Sequence, residues 1–308
     1  MKTREFCFNS DEGTKIYTYV FEPEEEPVTG VVQIVHGMVE HAMRYQRFAE
    51  ALTAHGYKVY AHDQRGHGKT AGSPENVGHL ADSDGFNWLV KDAHKLTGII
   101  REENPGLPLI LFGHSMGSFV SQRYMELYGK DVEGVVLSGS NGASILFTFG
   151  RIAAKMELKK NGPTARSPKL NGLAFGSYNK KFSPQRTDFD WLSRDNAEVD
   201  KYIADPYCGQ ICTCEFYYDF MDGLVTLSKK ENVKKIPADL PVLIVSGDMD
   251  PVGDYGKGVK KLYETYCENG MKDVRMKLYP GAHHEILNET NREEVTEDII
   301  AWIEQHTK

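Results

Sequence analysis

Gly113-His114-Ser115-Met116-Gly117 follows directly on the apolar run Leu109-Ile110-Leu111-Phe112, and Phe119-Val120 continue in a helical pattern. A buried strand, a tight turn with a serine at its apex and then a helix present that hydroxyl as a nucleophile. The glycines two before and two after Ser115 have a steric role, because side chains there would collide with the neighbouring strand and helix. A serine hydroxyl is a poor nucleophile at neutral pH. It needs an imidazole to take its proton and a carboxylate to orient the imidazole. Candidates lie beyond two later apolar runs. Asp248, Asp250 and Asp254 follow the run ending at Ser246, and His283 and His284 follow the run ending at Tyr279. Asp250 falls on the apex of its loop and is preferred. Asp248 is the main competitor, with the capping of turn amides as its other reading. His284 opens the following Glu285-Ile286-Leu287 and is preferred over His283, which then faces solvent or supports the site.

The charge that develops on an attacked carbonyl oxygen needs two backbone N–H donors. Met116, next to the nucleophile, offers one, and Met38, after His36-Gly37, offers the other. His114 reads as a packing and hydrogen-bonding residue rather than a base. His36, His62 and His67 sit at strand ends and read as structural, and Asp63 and Arg65 are expected to pair with each other across their loop.

The elements that must position these groups are legible from the spacing of apolar residues. Phe6 to Phe8 and Ile16 to Phe21 read as short antiparallel strands around Ser10-Asp11-Glu12-Gly13. Val31 to Val35, Tyr57 to Ala61, the run before the serine, Val132 to Ser138, Leu240 to Ser246 and Val274 to Tyr279 read as further strands. Tyr45 to His55, Asp84 to Glu103, the stretch from the serine to about Tyr128, and Glu293 to Gln305 have helical spacing. Alternating strands and helices with apolar strands imply an α/β fold with a mostly parallel sheet covered on both faces. The alternation stops after Gly139, and roughly ninety residues pass before it resumes, far more than an ordinary connection. Residues 1–139 and 231–308 are therefore expected to form the core domain. Residues 140–230 are expected to form a mostly helical cap over the carboxyl ends of the strands, where ligands bind in open α/β sheets.

With these residues assembled, the chain resembles the monoacylglycerol lipase and lysophospholipase branch of the α/β-hydrolases, often grouped with the serine aminopeptidase-like hydrolases. The resemblance rests on five segments: His36-Gly37-Met38-Val39-Glu40-His41 with Arg44-Tyr45, the segment Ala61 to Gly68, Gly113 to Gly117, Gly247 to Asp250, and Gly281 to His284. It implies an α/β-hydrolase fold, Ser115, Asp250 and His284 as the catalytic triad, Met38 and Met116 as the oxyanion donors, and no cofactor or metal. Phe189 to Asp195 and Asp205 to Cys208 look like the caps of bacterial members. Ser118 departs from the second glycine that many relatives carry after the elbow.

The cap segment carries Ile145-Leu146-Phe147-Thr148-Phe149 and Phe216-Tyr217-Tyr218. An apolar aromatic lining suits an acyl chain, and Phe147, Phe216 and Tyr217 are the expected substrate contacts; packing of the cap onto the core is the competing reading. The expected activity is a serine ester hydrolase acting on monoacylglycerol, lysophospholipid or similar esters through an acyl-enzyme. An aminopeptidase on the same scaffold would need cap carboxylates such as Glu215 or Asp219 to bind a free amine. A ligand receptor on a hydrolase fold is a third reading, disfavoured by the complete triad. Residues 145–149, with Arg151 and Lys155 nearby, could also give transient contact with a membrane surface.

A net charge of −8 over 308 residues argues against a nucleic-acid partner. No stretch approaches the ~18 apolar residues of a membrane span. The first residues lack the apolar segment of a secretory signal. Five cysteines without paired spacing fit reduced thiols, and a cytoplasmic location is expected.

Overall fold

A computed structural model describes all 308 residues. The strands are β1 (Lys2–Asn9), β2 (Lys15–Glu22), β3 (Gly30–Val35), β4 (Tyr57–His62), β5 (Leu109–His114), β6 (Gly134–Ser138), β7 (Val242–Gly247) and β8 (Val274–Tyr279). They form one eight-stranded sheet in the order β1-β2-β4-β3-β5-β6-β7-β8. β1 and β2 pair antiparallel with each other, and β2 pairs antiparallel with β4, while β4 to β8 run parallel. β3, β5, β6 and β7 are buried at every position, which is why they read as mainly apolar runs.

The helices flanking the sheet are α1 (Gln46–Ala54), α2 (Gly85–Glu103) and α3 (Met116–Tyr128). Between β6 and β7 come α4 (Ile145–Asn161), α5 (Pro168–Phe175), α6 (Asn196–Ala204), α7 (Cys214–Leu227) and the short α8 (Lys230–Val233). α9 (Lys257–Glu268) and α10 (Arg292–His306) complete the chain. The strand period of two sorts the core into two layers. Val32, Ile34, Ile110, Phe112 and Val245 pack against Phe48 and Leu52 of α1 and Ile299 and Ile303 of α10. On the other face Val31, Leu109, Leu111, Val135 and Ile244 pack with residues of α2, α3, α7 and α9. Phe220 of α7 sits 6.1 Å from Phe86 and 6.0 Å from Phe119, so the helices between β6 and β7 are seated on α2 and α3.

The expected elements are present with small shifts. The expected helix over 45–55 is a short 3-10 turn, Ala42–Tyr45, running into α1. α2 opens at Gly85 because Asp84 turns the chain at φ +57°. Val132 precedes β6, which begins at Gly134. The expected pairing of Asp63 with Arg65 is not what the loop does. Arg65 is taken by Asp92 at 2.8 Å and Glu12 at 2.7 Å. With Arg65 drawn to those two carboxylates, Asp63 instead accepts the N–H groups of Ala42 and Lys69 at 2.9 and 2.8 Å and the Tyr19 O–H at 3.3 Å. All five cysteines are unpaired thiols. No helix is long and apolar enough to cross a membrane.

Candidate active site

The parallel register brings the ends of β3, β5 and β6 level, with Val35 beside Gly113, and His114 beside Ser138. The loops that follow therefore emerge at one edge of the sheet. Ser115 lies at that edge with φ +52° and ψ −119°, a conformation that side chains rarely adopt. Its N–H is held by Ser138 O at 2.9 Å. A Cβ on Gly117 would lie 2.0 Å from Val35 O, and one on Gly113 would lie 2.3 Å from Ser121 Oγ. Both glycines are required by contact. Ser118, where a second glycine is common, uses its hydroxyl: Oγ donates to Ser115 O at 2.6 Å and lies 2.8 Å from Ser140 Oγ, whose own hydroxyl can donate to it.

The structure selects one carboxylate and one imidazole from the five candidates. His284 Nδ1 lies 2.9 Å from Asp250 Oδ2, and both side chains are buried. Asp250 also accepts Ser246 Oγ–H at 3.1 Å and the Val252 N–H at 2.8 Å. Burial alone would push the His284 pKa down, but the Asp250 carboxylate outweighs it and holds the pKa above its ordinary value. Nδ1–H is thus engaged, and Nε2, which has no partner within the protein, belongs to the residue that lines a cavity together with Ser115. Asp248 instead accepts the Gly281 N–H at 2.7 Å, tying the two loops. Asp254 lines a cavity without touching His284. His283 turns away, its Nδ1 donating to Asp190 O at 2.8 Å and its ring 4.0 Å from Phe182. Gly247 makes the convergence of these loops possible, since a Cβ there would fall 1.9 Å from Ala282 O.

Met38 N–H finds no acceptor in the protein, and the reason is built into its peptide. Gln64 N–H donates to His36 Nε2 at 2.9 Å, so the His36 proton is on Nδ1, where it is given to Gly37 O at 2.7 Å. With Gly37 O turned to His36, the N–H of the same trans peptide points the opposite way. Met116 is the first residue of α3, and its N–H has no carbonyl one turn earlier to bond. A Cβ on Gly37 would come within 3.2 Å of Ser115 Cβ, which places this loop directly over the serine.

Behind the loop is an ion-pair network that spacing did not reveal. Arg44 donates to Glu40 Oε2 at 2.6 Å and to both oxygens of Glu285 at 2.6 and 2.7 Å. Glu40 in turn accepts Tyr45 O–H at 2.8 Å and the Gly37 N–H. Burial raises both carboxyl pKa values, yet the Arg44 guanidinium brings each below the ordinary range. One cation therefore joins the Met38 loop to the residue after His284. The presence of Glu40 and Arg44 four residues apart was visible; the partner 241 residues away was not.

His114 bonds Ser138 Oγ through Nδ1 at 3.1 Å, with its ring 4.7 Å from that of His284. Burial, together with its neighbour His284, lowers its pKa to about 4, so it stays neutral beside the His284 ring. Trp191, from the segment between β6 and β7, lies 5.1 Å from the His284 ring, and its carbonyl accepts the His284 N–H at 3.3 Å.

Two cavities meet at Ser115. The larger, about 770 Å³, runs between α4, α5 and α7 and is mainly apolar, with Phe119, Ala153, Leu170, Met221 and Leu224 in its wall. Phe147 and Tyr217, two of the three candidate substrate contacts, line it. Phe216 does not: it is fully buried against His67 and Phe220, on the core-facing side of α7. The smaller cavity, about 420 Å³, holds Ser115 and His284 together with Asn171, Asn179, Gln185 and Gln210. Glu215 and Asp219, the carboxylates an amine-binding site would require, line neither cavity. Asp219 instead accepts the Gly85 N–H at 2.6 Å at the start of α2.

A sequence profile of the family described as serine aminopeptidase, S33 matches residues 26–291. A monoacylglycerol lipase of Mycolicibacterium smegmatis is 31% identical over 98% of this chain and 97% of its own length. Among solved structures, a thermostable carboxyl esterase from Bacillus coagulans in complex with glycerol superposes with a TM-score of 0.92 at 30% identity, covering all of both chains. A soluble variant of the Saccharomyces cerevisiae monoglyceride lipase in complex with a substrate analog superposes with a TM-score of 0.78 at 25% identity, covering 98% of this chain and 95% of the other.

Proposed function

This chain belongs to the serine aminopeptidase, S33 family of α/β-hydrolases, in its monoacylglycerol lipase group, and is an ester hydrolase; from that premise we propose that it cleaves single-chain lipid esters, with monoacylglycerol as the leading substrate. Ser115 Oγ attacks the ester carbonyl while His284 Nε2 takes its proton, and Asp250 holds the imidazole and balances its charge. The oxyanion is received by the N–H groups of Met38 and Met116, each contributing roughly 3 kcal/mol in sites of this kind. His284 then protonates the departing alcohol, leaving an acyl ester on Ser115. Water, deprotonated by the same imidazole, releases the acid and restores the serine.

The observation that carries the substrate class is the meeting of two cavities of opposite character at one hydroxyl. The larger cavity is lined mainly by apolar side chains of α4, α5 and α7 and suits an acyl chain. The smaller cavity, ringed by side-chain amides, suits a hydroxylated alcohol. Residues 140–230 act as the cap, which walls both cavities together with core residues such as Met38 and Ser115. On α4, Ile145, Leu146, Phe149, Ile152 and Met156 are exposed, with Leu173 of α5 beside the same cavity. An apolar stripe flanked by Arg151, Lys155 and Lys159 supports transient seating on a lipid surface, from which a single-chain ester enters.

The test is a panel of mono-, di- and triacylglycerols, lysophospholipids, aryl esters and an aminoacyl-anilide. The proposal expects kcat/KM to favour long monoacyl esters over diacyl ones. A preference for the anilide over the monoacylglycerol would overturn it in favour of a peptidase.

A further inference from the structure

The loop that carries Met38 contains a backbone outlier. Val39 has φ +48°, and a β-branched residue in the left-handed region crowds its own carbonyl and side chain. Such a residue stays there only where its surroundings hold it. The holding groups come from the far side of the molecule. Val39 O accepts Tyr202 O–H at 3.1 Å and the Gly209 N–H at 3.0 Å, and that N–H also lies 3.1 Å from the Tyr202 oxygen. Tyr202 is buried, and burial keeps its hydroxyl protonated and able to donate. The Arg44 guanidinium lies 4.9 Å over its ring, and His41 Nε2 reaches Asp205 at 2.9 Å from the same segment.

The residues on either side of Met38 are therefore pinned by different parts of the chain. Gly37 is held by His36 and Glu40 of the core, and Val39 by Tyr202 and Gly209, which lie between β6 and β7. We propose that Tyr202 is a positioning residue for the Met38 donor: its hydroxyl holds Val39 in the left-handed conformation that aims the Met38 N–H at the oxyanion. This rests on the reading of Met38 as an oxyanion donor. It gives the cap a second task, since its 202–209 segment completes the anion-binding half of the site as well as walling the cavities. Released from Tyr202, Val39 relaxes to negative φ, and Met38, left with only its Gly37 anchor, shifts its N–H from the oxyanion position.

The experiment compares wild type, Tyr202→Phe, Val39→Gly and the double variant on a soluble p-nitrophenyl ester, with enzyme concentrations set by active-site titration. Tyr202→Phe removes one oxygen and keeps the ring. It is expected to lower kcat about fivefold or more with KM changed by less than about twofold, since the lost interaction acts on the transition state. Glycine takes positive φ without strain, so on the Val39→Gly background the same change is expected to cost at least about threefold less. A merely structural tyrosine would lose the same factor on both backgrounds. That outcome, a smaller fall in kcat, or a loss confined to KM overturns the proposal. Ser115→Ala assayed in parallel separates the two levels: turnover retained there removes the hydrolase mechanism itself, whereas turnover abolished there with Tyr202→Phe unimpaired removes only the role of Tyr202.

Discussion

Replacing Arg44 by methionine would test the electrostatics of the site most sharply. Arg44 is the sole cation bonded to two buried carboxylates, Glu40 and Glu285, with side chains 4% and 7% exposed. Methionine keeps much of the length of the side chain and removes the charge, stranding both carboxylates. Breaking a buried pair in this way costs about 3–5 kcal/mol. With an unfolding entropy of about 2.1 cal/mol/K per residue, 308 residues give roughly 0.65 kcal/mol/K, so a loss of about 4 kcal/mol lowers Tm by about 6 °C near neutral pH. The pH dependence is the discriminating part. In the wild type both carboxyl pKa values lie below normal, so their stabilisation is present above the unfolded value of about 4.3 and is lost as pH falls through the folded values. In Arg44→Met, burial without a cation raises both, so the folded variant binds protons that the wild type does not. The difference in stability must therefore widen with rising pH, by up to about 1.4 kcal/mol per unit for each carboxylate within the window. Thermal unfolding of both proteins from pH 4 to pH 8 measures this. A Tm difference that is the same at both ends of the range would refute the assignment of Glu40 and Glu285 as Arg44-dependent charges.

Three further outcomes follow from the same geometry. Asp250→Asn should lower kcat by about 10³- to 10⁴-fold with an unchanged circular dichroism spectrum, whereas Asp248→Asn, which loses only a turn contact to Gly281, should stay within about tenfold. Ester hydrolysis should rise with pH as His284 loses its proton; because Asp250 holds that pKa up, the midpoint of kcat/KM should lie above about 6.5 and should fall in a variant that lacks the carboxylate. Gly139→Ala should depress kcat by an order of magnitude or more with little change in fold, because a Cβ there would meet His284 Cε1 at 2.9 Å and the backbone sits at φ +59°; mass-action titration with substrate would show whether KM is spared.

Much of the site was legible because its signals are local. The serine, its glycines and the strand before them lie within nine residues, and the steric demand on Gly113 and Gly117 can be read from the turn itself. Asp250 and His284 follow strand ends, where a parallel sheet delivers ligand-facing loops. What was not legible depends on partners far apart in the chain. Arg44 meets Glu285 across 241 positions, and Tyr202 meets Val39 across 163. Asp63 and Arg65, two residues apart, were expected to pair and do not, because Asp92 on α2 and the Glu12 turn compete for the guanidinium. Phe216 and Tyr217 are neighbours of like character, yet a helix turns only one of them to the cavity, and composition does not say which.

The central claim is that the hydroxyl of residue 115 is the reacting nucleophile, activated by the buried Asp250–His284 pair. Mass spectrometry of the protein after treatment with a fluorophosphonate tests it directly. The account predicts a single adduct on the peptide containing Ser115, formed stoichiometrically, slowed at pH 5 and absent in His284→Ala within the same time. An adduct on another serine, or labelling of Ser115 at an equal rate without His284, would contradict it.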